Sequence, residues 1–380
     1  MKNIVLVSSL MGLALACGVN EGSKLLEEWN SANDPTEITG VEINKKLSEL
    51  PDSGELEVLP WADDYWATYQ GGLSYRWQVN DFSYDILSKE EALTAETRAL
   101  SPAEKYDLFV GREDFPLTRS ERVRTEVLKT VEGHPSYEEG FEIATWQGLC
   151  HGWAPASVNF QEPKPVTVVG ANGRAIEFGS ADIKGLLTYY QQYEGNRSTR
   201  TEFMSERCNE SFSELKTQLD AGDITQEEYD SRRNSSACSD VNAGAFHLVL
   251  TNELGLKKRS FIIDATRDAE VWNHAVQSYE LVMEDLPGVD ANAADGTVSE
   301  VRVVAEIIYA IEAQPSYTPD GNVRTKVEYD YILELNEAGE VIGGRWISEK
   351  RPDFIWREST PIFRGYFKAL EDIYQASIAE

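Results

Sequence analysis

The chain has 380 residues, 35 of them basic and 65 acidic, for a net charge of -30 at neutral pH. The acidic residues are spread along the chain, and such an excess excludes nucleic acid, which needs a basic surface, as a partner. At this length the chain can bury one large core or two modest ones.

Met1-Lys2-Asn3 leads into an apolar run from Ile4 to Ala16, followed by Cys17 and the polar Gly18-Val19-Asn20. The run is shorter than the ~20 residues of a membrane span and reads as a signal peptide over residues 1–16. Ala14 and Ala16 before Cys17 form a lipobox-like site, with Ala14 where Leu is usual. Cys17 is therefore the expected point of lipidation. The product is expected to be exported, as a bacterial lipoprotein at the outer membrane or cell surface or, failing lipidation, as a secreted protein. Residues 17–58 are charged and read as a tether with a short helix near Asn44 to Leu50. The folded part is expected from Leu59, where Trp61, Tyr65, Trp66, Tyr69, Tyr75 and Trp77 make an aromatic cluster suited to packing over a core.

Ser101-Pro102-Ala103-Glu104 carries a helix-start signal. Val166 to Val169 and Ala175 to Phe178 flank Gly170-Ala171-Asn172-Gly173 and predict a hairpin. A helix is expected from Ser180 to Tyr193. The polar insert 194–242 holds two helices, the second opened by the capping box Thr225-Gln226-Glu227-Glu228. Phe246 to Thr251 and Ser260 to Asp264 read as two short strands with Asn252 to Lys258 between them. Glu328 to Leu335 and Glu340 to Ile347 predict an antiparallel hairpin, and Phe367 to Ala379 a closing helix. No internal repeat is present.

Four cysteines can be assigned almost completely. Cys17 goes to lipid, and Cys208 and Cys238 flank the insert and can pair. Cys150 is left over in Trp146-Gln147-Gly148-Leu149-Cys150-His151-Gly152-Trp153, a glycine-flanked turn expected to open a helix. Amide groups at a helix N-terminus stabilise a thiolate and hold an oxyanion, which marks Cys150 as a nucleophile. Pro155 predicts a short or kinked helix. A thiolate enzyme also needs a proton carrier. Of the four histidines, His134 lies in a Gly-His-Pro turn, His151 adjoins the cysteine, and His274 falls in a loop-like stretch. His247 at the start of one strand and Asp264 at the end of the next can meet, so the expected catalytic set is Cys150, His247 and Asp264. No His or Cys pair has zinc-site spacing. Asp290-Ala291-Asn292-Ala293-Ala294-Asp295-Gly296 with Glu300 is similar to a calcium loop, its Asp-Gly pair displaced by one position, which leaves calcium as a candidate ligand.

The chain resembles the transglutaminase elicitor family, known from oomycete cell-wall proteins and bacterial relatives. The likeness runs through PWADDYWATYQ, GLCHGWAPAS, GAFHLVLTNELG, SFIIDATRDAEVWNHAV and YDYILELNEAGEVIGGRWISEKRPDFIW. Residues 271–279 are similar to the peptide by which plants recognise the oomycete enzyme, with His274 and Ala275 standing where that peptide has Gln and Pro. The resemblance implies Cys150 as nucleophile, His247 and Asp264 as partners, and a bridge between Cys208 and Cys238. It also implies a protein-glutamine gamma-glutamyltransferase that forms a thioester with a glutamine side chain and passes the acyl group to a lysine amine or to water. Protein or peptide substrates bearing Gln and Lys are then the partners, together with the membrane through the anchor. Trp146 and Trp153 are candidates for shielding the thioester. The same residues would also serve a cysteine peptidase or amidase, and a non-catalytic binding lipoprotein is a third reading.

The expected fold is α+β, a transglutaminase- or papain-like core with a mainly antiparallel sheet, a helical insert and a C-terminal β-hairpin. The catalytic region spans 59–290, and a β-rich part, 291–380, packs on the same core.

Overall fold

A computed structural model describes residues 29–195, 198–319 and 323–379, so the signal run, Cys17 and the first part of the tether lie outside the described residues. Ten α-helices are described: α1 Thr36–Thr39, α2 Lys89–Thr94, α3 Pro102–Phe109, α4 Pro116–Thr125, α5 Cys150–Asn159, α6 Ser180–Tyr189, α7 Phe212–Ala221, α8 Gln226–Arg233, α9 Ala243–Val249 and α10 Leu370–Ile378. The ten described strands are β1 Ser53–Glu55, β2 Val166–Val169, β3 Ala175–Phe178, β4 Thr201–Met204, β5 Ile262–Asp264, β6 Asn273–Asp285, β7 Ser299–Ala310, β8 Arg324–Leu335, β9 Val341–Trp346 and β10 Ile355–Glu358.

Eight strands form one sheet in the order β4-β10-β5-β6-β7-β8-β9, with β1 also paired to β6, and β2 and β3 stand apart as a hairpin. Every pairing is antiparallel. The fold is thus mixed helix and antiparallel sheet, as expected. On β7 the alternate residues Val301, Val303, Ala305 and Ile307 are buried, and Tyr329, Tyr331 and Leu333 of β8 join them in one core. Helix α9 lies on that face so closely that a Cβ on Gly244 would come within 2.4 Å of the Gly343 carbonyl oxygen. A second core gathers α3, α5, α6 and α10 around Trp61, Trp66 and Trp153.

Both hairpins and the helices of the insert form where expected, and Cys208 is bonded to Cys238. Three elements differ from the sequence reading. Residues 246–251 are helical rather than a strand: the Asn242 side chain accepts the Gly244 and Ala245 N–H groups and starts α9, which a π-helical stretch, Leu250–Leu256, continues. An apolar run buried on all sides has no periodicity to tell helix from strand, and the cap decided it. His274 lies in the 13-residue strand β6, not in a loop. Ordered structure begins before Leu59, since Ile38 is buried and Gly54 pairs with Tyr279, while the short helix near Asn44 is a 3-10 turn, Leu47–Glu49.

Candidate active site

Helix α5 starts at Cys150 because the chain before it is held from outside, the Leu149 N–H donating to the Tyr65 carbonyl at 2.5 Å. Its first-turn N–H groups point back along the axis, that of Gly152 donating to the Leu149 carbonyl and to Gln192 Oε1. The helix is ten residues long with Pro155 inside it, in keeping with the short helix expected. Gly152 lets it lie against α6, for a Cβ there would sit 2.2 Å from the Thr188 carbonyl oxygen.

The other side of α5 covers a sheet face built from β5, β6 and β10. Cross-strand partners share a face, and here Asp264 pairs with Asn273, Ile262 with Ala275 and Trp356 with Ile262. Ala154 packs on Ile262, Phe354 and Trp356. One residue after the cysteine, the exposed His151 stacks on Trp356 with ring centroids 4.3 Å apart.

Cys150, the one free cysteine among the described residues, is buried with its sulfur at the start of β6. Its thiol donates to the Val271 carbonyl at 3.4 Å, and Asn273 Nδ2 donates to Sγ at 3.7 Å. The Trp356 indole N–H donates to Asn273 Oδ1 at 2.7 Å. An indole can only donate, so the amide oxygen must face it and the NH2 must face the sulfur. Burial pushes the Cys150 thiol pKa up, and the Asn273 backbone N–H and side-chain amide oppose this by favouring the thiolate. The carboxylates of Glu312 and Asp264 push it further up.

Asp264 is fully buried on the same face. Its Oδ1 accepts the Thr266 and Trp272 N–H groups and the Thr266 hydroxyl, whereas Oδ2 has no hydrogen-bond partner. Burial raises its pKa to about 6.

No hydrogen bond joins His247 to Cys150 or to Asp264. His247 projects from α9 into the core on β8, where Nδ1 meets the Tyr331 hydroxyl at 3.0 Å and Nε2 has no partner. Burial alone depresses its pKa to about 3. The expected meeting of His247 with Asp264 assumed two neighbouring strands, and the helical course of 243–256 removes that premise. His274 Nδ1 faces the Ala310 carbonyl at 3.0 Å with its ring against Tyr309, and His134 Nδ1 accepts the Ser136 N–H. Trp153 is fully buried in the second core, its indole donating to the Trp61 carbonyl, while Trp146 is half-buried in the turn before α5. The tryptophan next to the thiol's acceptor is Trp272, half-buried beside Tyr65 at 5.8 Å between ring centroids. In the calcium-like loop, Glu300 is held by Arg345, and no group of three metal-ligating side chains occurs among the described residues.

Asn273 and Val271 thus contact the sulfur, Trp356 orients Asn273, and the carboxylates of Asp264 and Glu312 act on the thiol electrostatically. The first three escaped sequence reasoning, although 271–273 opens the segment singled out by resemblance.

The sequence profile of the transglutaminase elicitor family matches residues 36–297 and 314–363. The chain belongs to the transglutaminase elicitor family. Cys150, Asp264 and Asn273 all lie within the matched residues. The fold is similar to the crystal structure of the GP42 transglutaminase from Phytophthora sojae, with a TM-score of 0.65 and 22% identity over 92% of this chain and 98% of that chain. No curated protein matches the sequence. Family membership supports a transglutaminase-type function.

Proposed function

We propose that the chain is an acyltransferase in which Cys150 attacks the side-chain amide of a protein-bound glutamine, releases ammonia and passes the acyl group to a lysine amine or to water. The observation that carries this reading is the arrangement at the sulfur. A free cysteine stands at a helix N-terminus, which favours a thiolate, with an oriented amide donor at its sulfur. As a resting thiol, Cys150 donates to Val271; as a thiolate it accepts from Asn273. Export and anchoring at Cys17 would place this chemistry outside the cell, where protein substrates bearing Gln and Lys are met.

The test supplies a glutamine-containing protein and a labelled primary amine. Amine incorporation by the wild type and its loss in Cys150→Ala are expected. Peptide cleavage without incorporation would assign the site to a peptidase instead.

A further inference from the structure

Acyl transfer needs a group that takes the thiol proton and delivers it to the departing nitrogen. No histidine ring among the described residues hydrogen-bonds Cys150, but two carboxylates, Glu312 and Asp264, act on its thiol, and Asp264 is the one whose strand partner touches the sulfur. Asp264 pairs with Asn273 across β5 and β6, so their side chains rise from one face with Cβ atoms about 5 Å apart. Asn273 is the residue whose amide touches the sulfur. Three donors fix Oδ1 of Asp264 in place, and Oδ2 is buried without a partner.

We infer that Asp264 Oδ2 is the proton acceptor and donor for Cys150, in the role that an imidazole fills in other thiol enzymes. Its electrostatics agree. The Asp264 carboxylate raises the thiol, and burial lifts the carboxyl itself toward neutrality. The charged and titratable groups facing Asp264 are Cys150 on α5, Arg207 on the insert, Asp353 before β10 and Tyr329 on β8. Glu312, beyond the end of β7, faces the thiol.

The proposal rests on the acyl-transfer reading. In the first half-reaction the S–H bond breaks and Oδ2 takes the proton. The sulfur electron pair forms the S–C bond to the glutamine carbonyl carbon, the C–N bond breaks, and the nitrogen leaves as ammonia with the proton from Oδ2. In the second, the incoming amine bonds to the carbonyl carbon and gives a proton to Oδ2, the C–S bond breaks, and the sulfur recovers the proton. No electron is gained or lost overall.

The experiment compares wild type, Asp264→Asn and Glu312→Gln in two assays, amine incorporation and alkylation of Cys150 by iodoacetamide across pH. Asn keeps an oxygen for the Trp272 N–H but cannot carry a proton. Asp264→Asn is expected to lose about 100-fold or more in incorporation, while its alkylation midpoint moves to lower pH because a neighbouring negative charge is gone. Glu312→Gln should keep incorporation within a few fold. A merely structural role for Asp264 would depress both readouts together. Near-normal incorporation by Asp264→Asn, or loss in Glu312→Gln alone, overturns the proposal. If Asp264→Asn does not fold, the acid limb of the wild-type pH–rate profile decides. A carboxyl's limb stays in place between cold and warm assays; a limb that moves as imidazole ionisation does would contradict the assignment. Should the wild type incorporate no amine, the acyl-transfer reading falls, and the alkylation midpoint still reports whether Asp264 and the thiol are coupled.

Discussion

At Cys150 the sulfur trades one acceptor for two donors when it ionises, leaving the Val271 carbonyl and relying on the Asn273 N–H groups. Removing the amide should therefore raise the thiol pKa. Asn273→Ala is expected to slow alkylation of Cys150 at neutral pH about tenfold, equivalent to about one pKa unit. Trp356→Phe, which frees the amide to turn over, should slow it a few fold. Alkylation rates measured across pH check both, and an unchanged midpoint in Asn273→Ala would remove Asn273 from the site. The sequence reached Cys150 by elimination, because an unpaired thiol in a chain expected to be exported demands a reason. It could not reach Asn273, since an asparagine advertises no chemistry and this one owes its role to a tryptophan 83 residues away.

Helix α9 carries the histidine that spacing had favoured, and its course shows why spacing misled. Gly244-Ala245-Phe246-His247-Leu248-Val249 is apolar enough for a buried strand or a buried helix, and Asn242 as cap made it a helix. Placed inside the core, His247 stays neutral, its pKa about 3 against about 6.5 in an unfolded chain. The unfolded state thus takes up a proton that the folded state refuses. Stability is full above about pH 6.5 and falls as the pH drops toward 3, by about 2 kcal/mol at pH 5 for this ring alone. His247→Gln should keep amine incorporation and lose about that much of the acid sensitivity. Denaturant unfolding at pH 7 and pH 5 measures the difference, and an unchanged acid response would contradict the account. By contrast the β2–β3 and β8–β9 hairpins were legible, because alternation and turn residues act locally. The start of β6 is hidden from sequence reading because every residue from Asn273 to Gln277 is buried, which erases the alternation.

Across the whole molecule, residues far apart in sequence build one sheet, with β10 beside β5 and β1 beside β6. The insert is tied to that sheet near Asp264. Cys208 N–H donates to Asp353 Oδ2, and Asp353 N–H donates to the Asp264 carbonyl oxygen. The bond between Cys208 and Cys238 spans 30 residues and should contribute about 3–4 kcal/mol in the chain-entropy model. Replacing both cysteines with Ala is expected to cost about that much in denaturant unfolding and to lower transfer activity through looser support of Asp264. An equal stability in the double variant would show that the bridge is dispensable. Fold class and bridge could be read early because they rest on composition and on pairs of residue types. The site could not, because it exists only where α5, β5, β6 and β10 converge.

The central claim is that Cys150 carries the acyl group, and the intact mass of the protein tests it directly. After incubation with a glutamine-bearing peptide and no amine, then acid quenching, the protein should gain the mass of the peptide less ammonia, with the adduct on Cys150 and released by hydroxylamine. An adduct on another residue, or none on Cys150 while amine is still incorporated in a parallel assay, would contradict it.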